Sequence, residues 1–150
     1  MNAMGLKKSL FAVSLASALF LGATDVRAAQ CGETKLAEQM DEMKDHLKAY
    51  KNAAKSEDWA IMAENRAALQ ELADSAKKEL PFKAQSEPKA AQEKMQSNYQ
   101  KGMTHLEELL DNLETAENSK DADKVMSLMQ EIGKHTKKGH RAFKQKCDDE

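Results

Sequence analysis

The chain has few of the residues that break helices and few of those that build sheets. Its 150 residues include two prolines and six glycines, and aromatic residues make up only 5% of them. Valine, isoleucine and threonine are also scarce, whereas alanine, lysine, glutamate, leucine, methionine and glutamine are common. This composition disfavours a β-sandwich or barrel and favours a helical protein.

The sequence signatures of most enzyme classes are missing as well. The chain has no glycine-rich phosphate loop, no nucleophile elbow and no recognisable Ser-His-Asp arrangement. It has no Glu-x-x-His pair of the kind that holds a di-iron centre, and no Cys-x-x-Cys-His motif for covalent haem attachment. We therefore do not expect an enzyme.

Neither sign of charge dominates the whole chain. Lysine and arginine number 23 and acidic residues 25, which gives a net charge of −2. No basic stripe interleaved with aromatic residues is present, and such a stripe is the usual footprint of nucleic-acid binding. We predict neither nucleic-acid binding nor stable membrane association.

The N-terminus has the pattern of a secretory signal peptide. Lys7 and Lys8 precede an apolar run, Ser9 to Ala23, which is too short for a membrane span, and small residues lie at Val26 and Ala28. Cleavage after Ala28 leaves 150 − 28 = 122 residues, enough for one domain, and changes the charge count to 20 − 24 = −4. We predict a signal peptide at 1–28, a domain at 29–150 and a periplasmic location.

Apolar residues recur at steps of three and four through four segments, which is typical of helices with one apolar face. Short polar turns separate the first segment from the second and the third from the fourth, and prolines 81 and 88 bracket a longer loop. Ser56 is a plausible N-cap for the second helix. The pattern predicts an all-α protein, an antiparallel up-down-up-down four-helix bundle. The predicted helices run from about Glu33 to Ala54, Glu57 to Glu79, Lys89 to Glu117 and Lys120 to Lys146.

Two stretches of the chain resemble the cytochrome b562 family, which is itself a standard example of this bundle. The stretch from Leu36 to Lys48 is similar to that family's first helix. The resemblance is loose in the second helix and continues through the last two, and it implies a b-type cytochrome that carries single electrons. The residues that carry it there are Tyr99, Gly102, Leu106, Asp111, Ile132, His140 and Lys144.

The resemblance implies that Met40 and His140 are the two axial ligands of a haem iron. Methionine with histidine is an axial pair found in cytochromes. In an antiparallel bundle the first and last helices are neighbours, and at about 1.5 Å rise per residue these two positions match in height to within roughly a turn. Each residue alone has another interpretation, because methionine fills gaps in helical cores and a histidine on an apolar face is commonly part of the core.

Further cofactor contacts follow from the same resemblance. Lys144 lies where the family has an arginine that reaches a haem propionate, although an ordinary solvated charge is the alternative. Met103 replaces an aromatic residue, and Thr136 stands where an arginine is usual. The predicted contacts beside the ligands are Met43, Tyr99, Met103, Thr136, Phe143 and Lys144.

Cys31 and Cys147 flank the predicted bundle at the end where its termini meet. An exported chain enters an oxidising compartment, so we predict a disulfide, with free or haem-linked thiols as the alternatives. The bond would close a loop of about 115 residues and stabilise the fold by about 4 to 5 kcal/mol in the chain-entropy model. Since Cys-x-x-Cys-His is absent, the implied cofactor is non-covalent haem b.

With both axial positions filled, electron transfer is the function that remains for the iron. The implied partners are haem and unidentified redox proteins, and we expect the chain to act as a monomer. Two alternatives stay open: a haem-free periplasmic helical module with a binding or stress-protective role, and a five-coordinate haem protein ligated by His140 alone. The other histidines, at 46, 105 and 135, lie beside charged residues and are not predicted ligands.

Overall fold

The computed structural model describes residues 31–147, and within that range the secondary structure is entirely helical. Four long helices correspond to the four predicted segments, which confirms the predicted fold class. A fifth, short helix lies in the loop between the two prolines, where no helix was predicted. The elements are α1 (Lys35–Lys55), α2 (Trp59–Lys77), α3 (Phe82–Gln85), α4 (Lys89–Asn118) and α5 (Ala122–Phe143).

Side-chain caps set the starts of three of these helices. The Thr34 hydroxyl accepts a hydrogen bond from the Ala37 backbone N–H at 3.0 Å, and Asp121 caps α5 in the same way. The predicted N-cap of the second helix is wrong, because Asp58 occupies that position and Ser56 ends α1 instead. Glu57 lies between them with a φ of 51°, and this left-handed conformation interrupts the helix between α1 and α2.

The last helix is shorter than predicted. It ends at Phe143 rather than Lys146, because Lys144 has extended backbone angles of φ −74° and ψ 124°. Residues 144–147 are non-helical and lead to Cys147. Lys144 therefore lies just outside α5, contrary to the sequence prediction that placed it within the last helix.

Each long helix contributes one apolar face to a continuous core. Tyr50, Leu113 and Ile132 are almost completely removed from solvent. Burial of this kind supplies most of the stabilisation of a small helical domain. The larger buried apolar side chains are Met43, Tyr50, Met62, Leu69, Tyr99, Met103, Leu109, Leu110, Leu113, Val125, Leu128 and Ile132.

The four sides of the bundle are not equally well packed. α1 packs along α2, α2 along α4, and α4 along α5, whereas α1 and α5 approach each other at only a few positions. The α1–α5 side is thus the loosest side of the bundle. Within residues 31–147, none of the helices combines the length and the apolar character that crossing a bilayer requires.

A buried charged pair lies away from the chain termini. The Arg66 guanidinium donates to Glu117 Oε2 at 2.8 Å, and both residues are more than nine-tenths buried. Tyr50 packs beside them, and its pKa is raised by burial first and by the Glu117 charge second. Removing one member of such a pair would leave an uncompensated charge in the core, which is strongly destabilising.

Candidate cofactor site

Met40 and His140 lie near the same end of the bundle, on α1 and α5, the two neighbouring helices that pack most loosely against each other. Met40 follows the first residue of α1 by five positions, and His140 precedes the last residue of α5 by three. At about 1.5 Å rise per residue their heights differ by roughly 3 Å if the two helix ends are level. The structure thus brings the predicted ligands to matching positions on antiparallel neighbours.

The two side chains differ in exposure. Met40 is half-buried and packs against the core, whereas His140 is exposed at the edge of the apolar face of α5. The pKa of His140 is nevertheless lowered, first by partial desolvation and then by the charge of Lys144. This shift favours the neutral imidazole, which is the form that binds a metal.

The histidines differ in their hydrogen bonding. Three of them have an oxygen partner for one ring nitrogen, whereas the imidazole of His140 has no hydrogen-bond partner within residues 31–147. His140 is therefore the histidine for which both ring nitrogens lack a partner within the described residues. The three partnered contacts are His46 Nδ1 with Asn65 Oδ1 at 2.9 Å, His105 Nδ1 with Glu108 Oε2 at 3.2 Å, and His135 Nε2 with the Gly102 carbonyl at 2.8 Å.

Several of the predicted cofactor contacts belong to the apolar core. Met43, Tyr99 and Met103, three of the predicted cofactor contacts, are buried in the core. The Tyr99 hydroxyl donates to the Ala76 carbonyl at 2.7 Å, and its ring meets that of Phe143 edge to face, with centroids 5.5 Å apart. The hydroxyl is therefore engaged by α2, and apolar surface remains for a ligand.

The remaining predicted contacts lie at the rim. Thr136 is half-buried, one turn before His140 on α5. Lys144 is exposed just beyond the helix, and its backbone N–H donates to the His140 carbonyl at 3.0 Å. The Lys144 ammonium is thus tethered near the imidazole while remaining in solvent.

A buried amide that the sequence pattern did not reveal positions Met40. Gln39 is 7% exposed, and its side-chain N–H donates to the Ser75 hydroxyl on α2 at 2.7 Å. This bond fixes α1 to α2 one residue before the thioether. A glutamine in a polar run gives no periodic signal, so only the structure identifies it.

The predicted disulfide is present and joins the start of α1 to the end of α5, the two helices that carry the predicted ligands. Cys31 and Cys147 have Cα atoms 5.7 Å apart and are separated by 116 residues of sequence. Each cysteine lies four residues outside its helix, so the bond brings the ends of α1 and α5 level. Gly32 has a φ of +85°, a conformation that glycine adopts readily and that turns the chain next to the bond.

The donor set and its surroundings fit a haem. Met40 supplies a thioether that packs against the core, and His140 supplies an imidazole whose lowered pKa favours the neutral form. Thioether and imidazole are donors that bind iron in cytochromes, and an apolar pocket suits the macrocycle. Within residues 31–147, no cluster of three or more histidine, cysteine or acidic side chains offers a rival metal centre.

Comparison with known proteins gives one finding. A family model described as "Cytochrome b562" matches residues 35–144, which is most of the chain. No curated protein and no solved structure shows a significant match to the chain. The match includes both predicted ligands and each predicted cofactor contact, and it excludes the two cysteines.

Proposed function

The chain belongs to the cytochrome b562 family, whose members carry non-covalent haem b as electron carriers, and we propose that its haem iron is ligated by Met40 and His140. The unpartnered imidazole of His140, on the loose α1–α5 side near Met40, is the observation that carries this assignment. Family membership favours the haem protein over the haem-free helical module.

The surrounding residues have distinct roles in this proposal. Met43, Tyr99, Met103 and Phe143 provide apolar contact with the macrocycle and exclude water from its inner edge. Met43, Tyr99 and Met103 are held in place by the core packing of the bundle, and Phe143 packs against that core.

The polar rim serves the outer edge of the cofactor. Lys144 pairs with a propionate as a point charge, since lysine lacks the bidentate fork of arginine. Thr136 provides a small polar side chain beside it.

The proposed chemistry is the transfer of one electron at a time. The haem supplies the redox reaction when it is bound, and the protein supplies binding, orientation and electrostatics. Two protein ligands leave no open coordination position for a substrate. Methionine ligation raises the potential, and ligands held by two helices linked through a disulfide need little rearrangement between oxidation states.

We also propose that the chain works in the periplasm as a monomer. Members of the family are typically soluble and periplasmic. A disulfide between distant cysteines is expected in an oxidising compartment. The proposed signal peptide, residues 1–28, lies outside the described residues, so its cleavage after Ala28 is a matter for N-terminal sequencing of the exported protein.

The test is to express the full chain in a bacterium and purify it from the periplasmic fraction. We expect a sharp Soret band and low-spin α and β bands on reduction, with haem that acid-acetone extracts. Haem that stays with the polypeptide would contradict non-covalent binding. A colourless protein that takes up no added hemin would contradict haem binding, and a high-spin spectrum that shifts with CO would contradict the second ligand.

A further inference from the structure

The end of α5 and the residues after it form a strongly basic segment. It contains six cationic residues, and no acidic residue lies between Ile132 and Cys147. All six side chains are exposed, and within residues 31–147 none of them forms an ion pair, in contrast to Lys35, Lys77 and Lys78. The basic segment comprises Lys134, Lys137, Lys138, Arg141, Lys144 and Lys146.

The helical geometry places this charge beside the proposed ligand. At about 100° per residue, the four cations within α5 occupy an arc of roughly 100° that begins about 60° from His140. The buried face of α5, marked by Leu128 and Ile132, lies on the other side of the helix. His140 therefore stands at the border between the core and the basic segment.

Stabilisation of the helix end explains only part of this charge. Cations near a helix C-terminus interact favourably with its dipole, and the effect falls off within the last turn. It applies to Arg141 and to Lys83, whose ammonium donates to the Ala142 carbonyl at 3.3 Å. Lys134, Lys137 and Lys138 lie more than one turn inside the helix, so they need another explanation.

Acidic residues also lie close to the basic segment, on α1 and in the sequence that follows it. On the neighbouring α1, Glu38, Asp41, Glu42 and Asp45 are exposed, and Asp41 is paired with Lys44. The sequence also ends in three acidic residues, 148–150, which lie outside the described residues. The surface around the site is therefore acidic on α1 and basic on α5.

We propose that the basic segment is the docking surface for a redox protein that presents acidic side chains around its own cofactor. This inference rests on the proposed function, because it needs an electron carrier whose haem lies beside His140. Electron-transfer partners meet through small, transient contacts, and complementary charge raises the rate of encounter and selects the partner. A net charge of −2 over the whole chain would disfavour such a partner, so a local patch is required.

The chemistry of the segment favours a protein over a lipid surface. Helices that lie on anionic membranes combine a basic face with a bulky apolar face that enters the bilayer. The apolar face of α5 is already packed in the core through Val125, Leu128 and Ile132. The outer face offers charge without an apolar anchor.

The first experiment measures oxidation of the reduced holoprotein by two small reagents of opposite charge, hexacyanoferrate(III) and tris(phenanthroline)cobalt(III). We expect the rate with the anionic reagent to fall as ionic strength rises, and the rate with the cationic reagent to stay level or rise. The double variant Lys137→Glu/Lys138→Glu should slow the anionic reagent about five- to tenfold at low salt.

A matched control makes the same change in net charge at the far end of the bundle. Lys51→Glu/Lys124→Glu alters two exposed lysines near the end of α1 and the start of α5, and it should change the rate less than about twofold. Equal effects of the two double variants would overturn the proposal. Unchanged Soret and α bands in all variants keep this test separate from the proposed function, which fails only if haem or its low-spin ligation is absent.

The second experiment needs no electron transfer. Poly-L-glutamate, an acidic chain without a cofactor, is titrated into the ¹⁵N-labelled holoprotein. We expect amide shift changes confined to residues 134–146 and their neighbours, and their loss at high salt. Amide shift changes centred on other residues would overturn the proposal. It would also be overturned if co-sedimentation showed tighter binding to phosphatidylglycerol vesicles than the titration shows to poly-L-glutamate.

Discussion

The two proposed ligands, Met40 and His140, offer different donor atoms, so their removal should have different effects. His140→Ala removes the proposed nitrogen ligand and should abolish most haem affinity. Met40→Ala should retain haem through His140, but convert reduced iron to a high-spin, CO-reactive form with a lower potential, because thioether sulfur favours ferrous iron. Visible spectra and redox titrations of both variants beside the parent protein measure these effects.

Met126→Ala is the matched control for the methionine variant. Met126 lies on the same bundle but is 46% exposed near the start of α5, far from the site. The visible spectrum and the redox potential of the Met126→Ala variant should equal those of the parent protein. If Met40→Ala also leaves the low-spin spectrum unchanged, Met40 is a core residue, and the buried Met43 or Met103 becomes the candidate ligand.

Both tyrosines of the chain should resist ionisation in the folded protein. Burial is the main cause that raises the pKa of Tyr50 and of Tyr99 above the usual 10.0. A raised pKa contributes stability that is complete below the unfolded value and is lost as pH rises above it. We therefore expect no tyrosinate absorbance at 295 nm near pH 10, and its later appearance together with unfolding reported by Trp59 fluorescence. A normal titration step in the folded protein would contradict the burial of one ring.

Among the elements, α1 and α5 depend most on the disulfide, because their mutual packing is sparse. Cys31→Ser/Cys147→Ser should lower the free energy of unfolding by about 2 to 5 kcal/mol. It should also weaken haem binding, since the two ligand-bearing helices are then free to separate. Urea unfolding by circular dichroism and hemin titration check both effects, and thiol titration of the denatured parent protein should find no free thiol. A variant as stable as the parent would contradict this role.

The periodic pattern predicted the helices well because each long helix has one apolar face. The observed bounds of α1, α2 and α4 differ from the predicted ones by at most two residues. The ends were less predictable because local bonds decide them. Asp58 outcompetes Ser56 as a cap, and α5 stops at Phe143, after which a non-helical stretch leads to the disulfide. The short α3 has too few residues to show a period.

Long-range polar contacts were beyond sequence reasoning. Arg66 and Glu117 are 51 residues apart, and a charged residue in a helix is ordinarily assigned to the solvent side. The resemblance named Tyr99 and Met103 as cofactor contacts, and both are buried in the core, whereas neither the resemblance nor the spacing indicated that His140 is exposed. Its position at the edge of the apolar face depends on how far α5 stands from α1, and periodicity carries no information about that separation.

At the scale of the whole molecule, packing density divides the bundle into a firm part and a loose part. α2 and α4 each pack along two long helices, whereas α1 and α5 each pack closely along only one. Local opening needs less free energy where fewer apolar contacts hold an element. The loose part contains both proposed ligands, so we expect cofactor binding and local stability to be coupled in this protein.

Hydrogen exchange of the protein without and with haem tests that coupling. Without haem, amides in the first half of α1 and the last half of α5 should exchange faster than those in the middle of α2 and α4. In the proposed ligation, haem joins these two helices through Met40 and His140. It should then slow exchange mainly in those halves, by the mass-action stabilisation that any ligand of the folded state provides. The C-terminal half of α4 around Leu110 serves as the internal reference, because that residue is 1% exposed and is not a proposed cofactor contact. Uniform protection without haem, or protection by haem centred on α2 and α4, would show that the cofactor binds elsewhere than between α1 and α5.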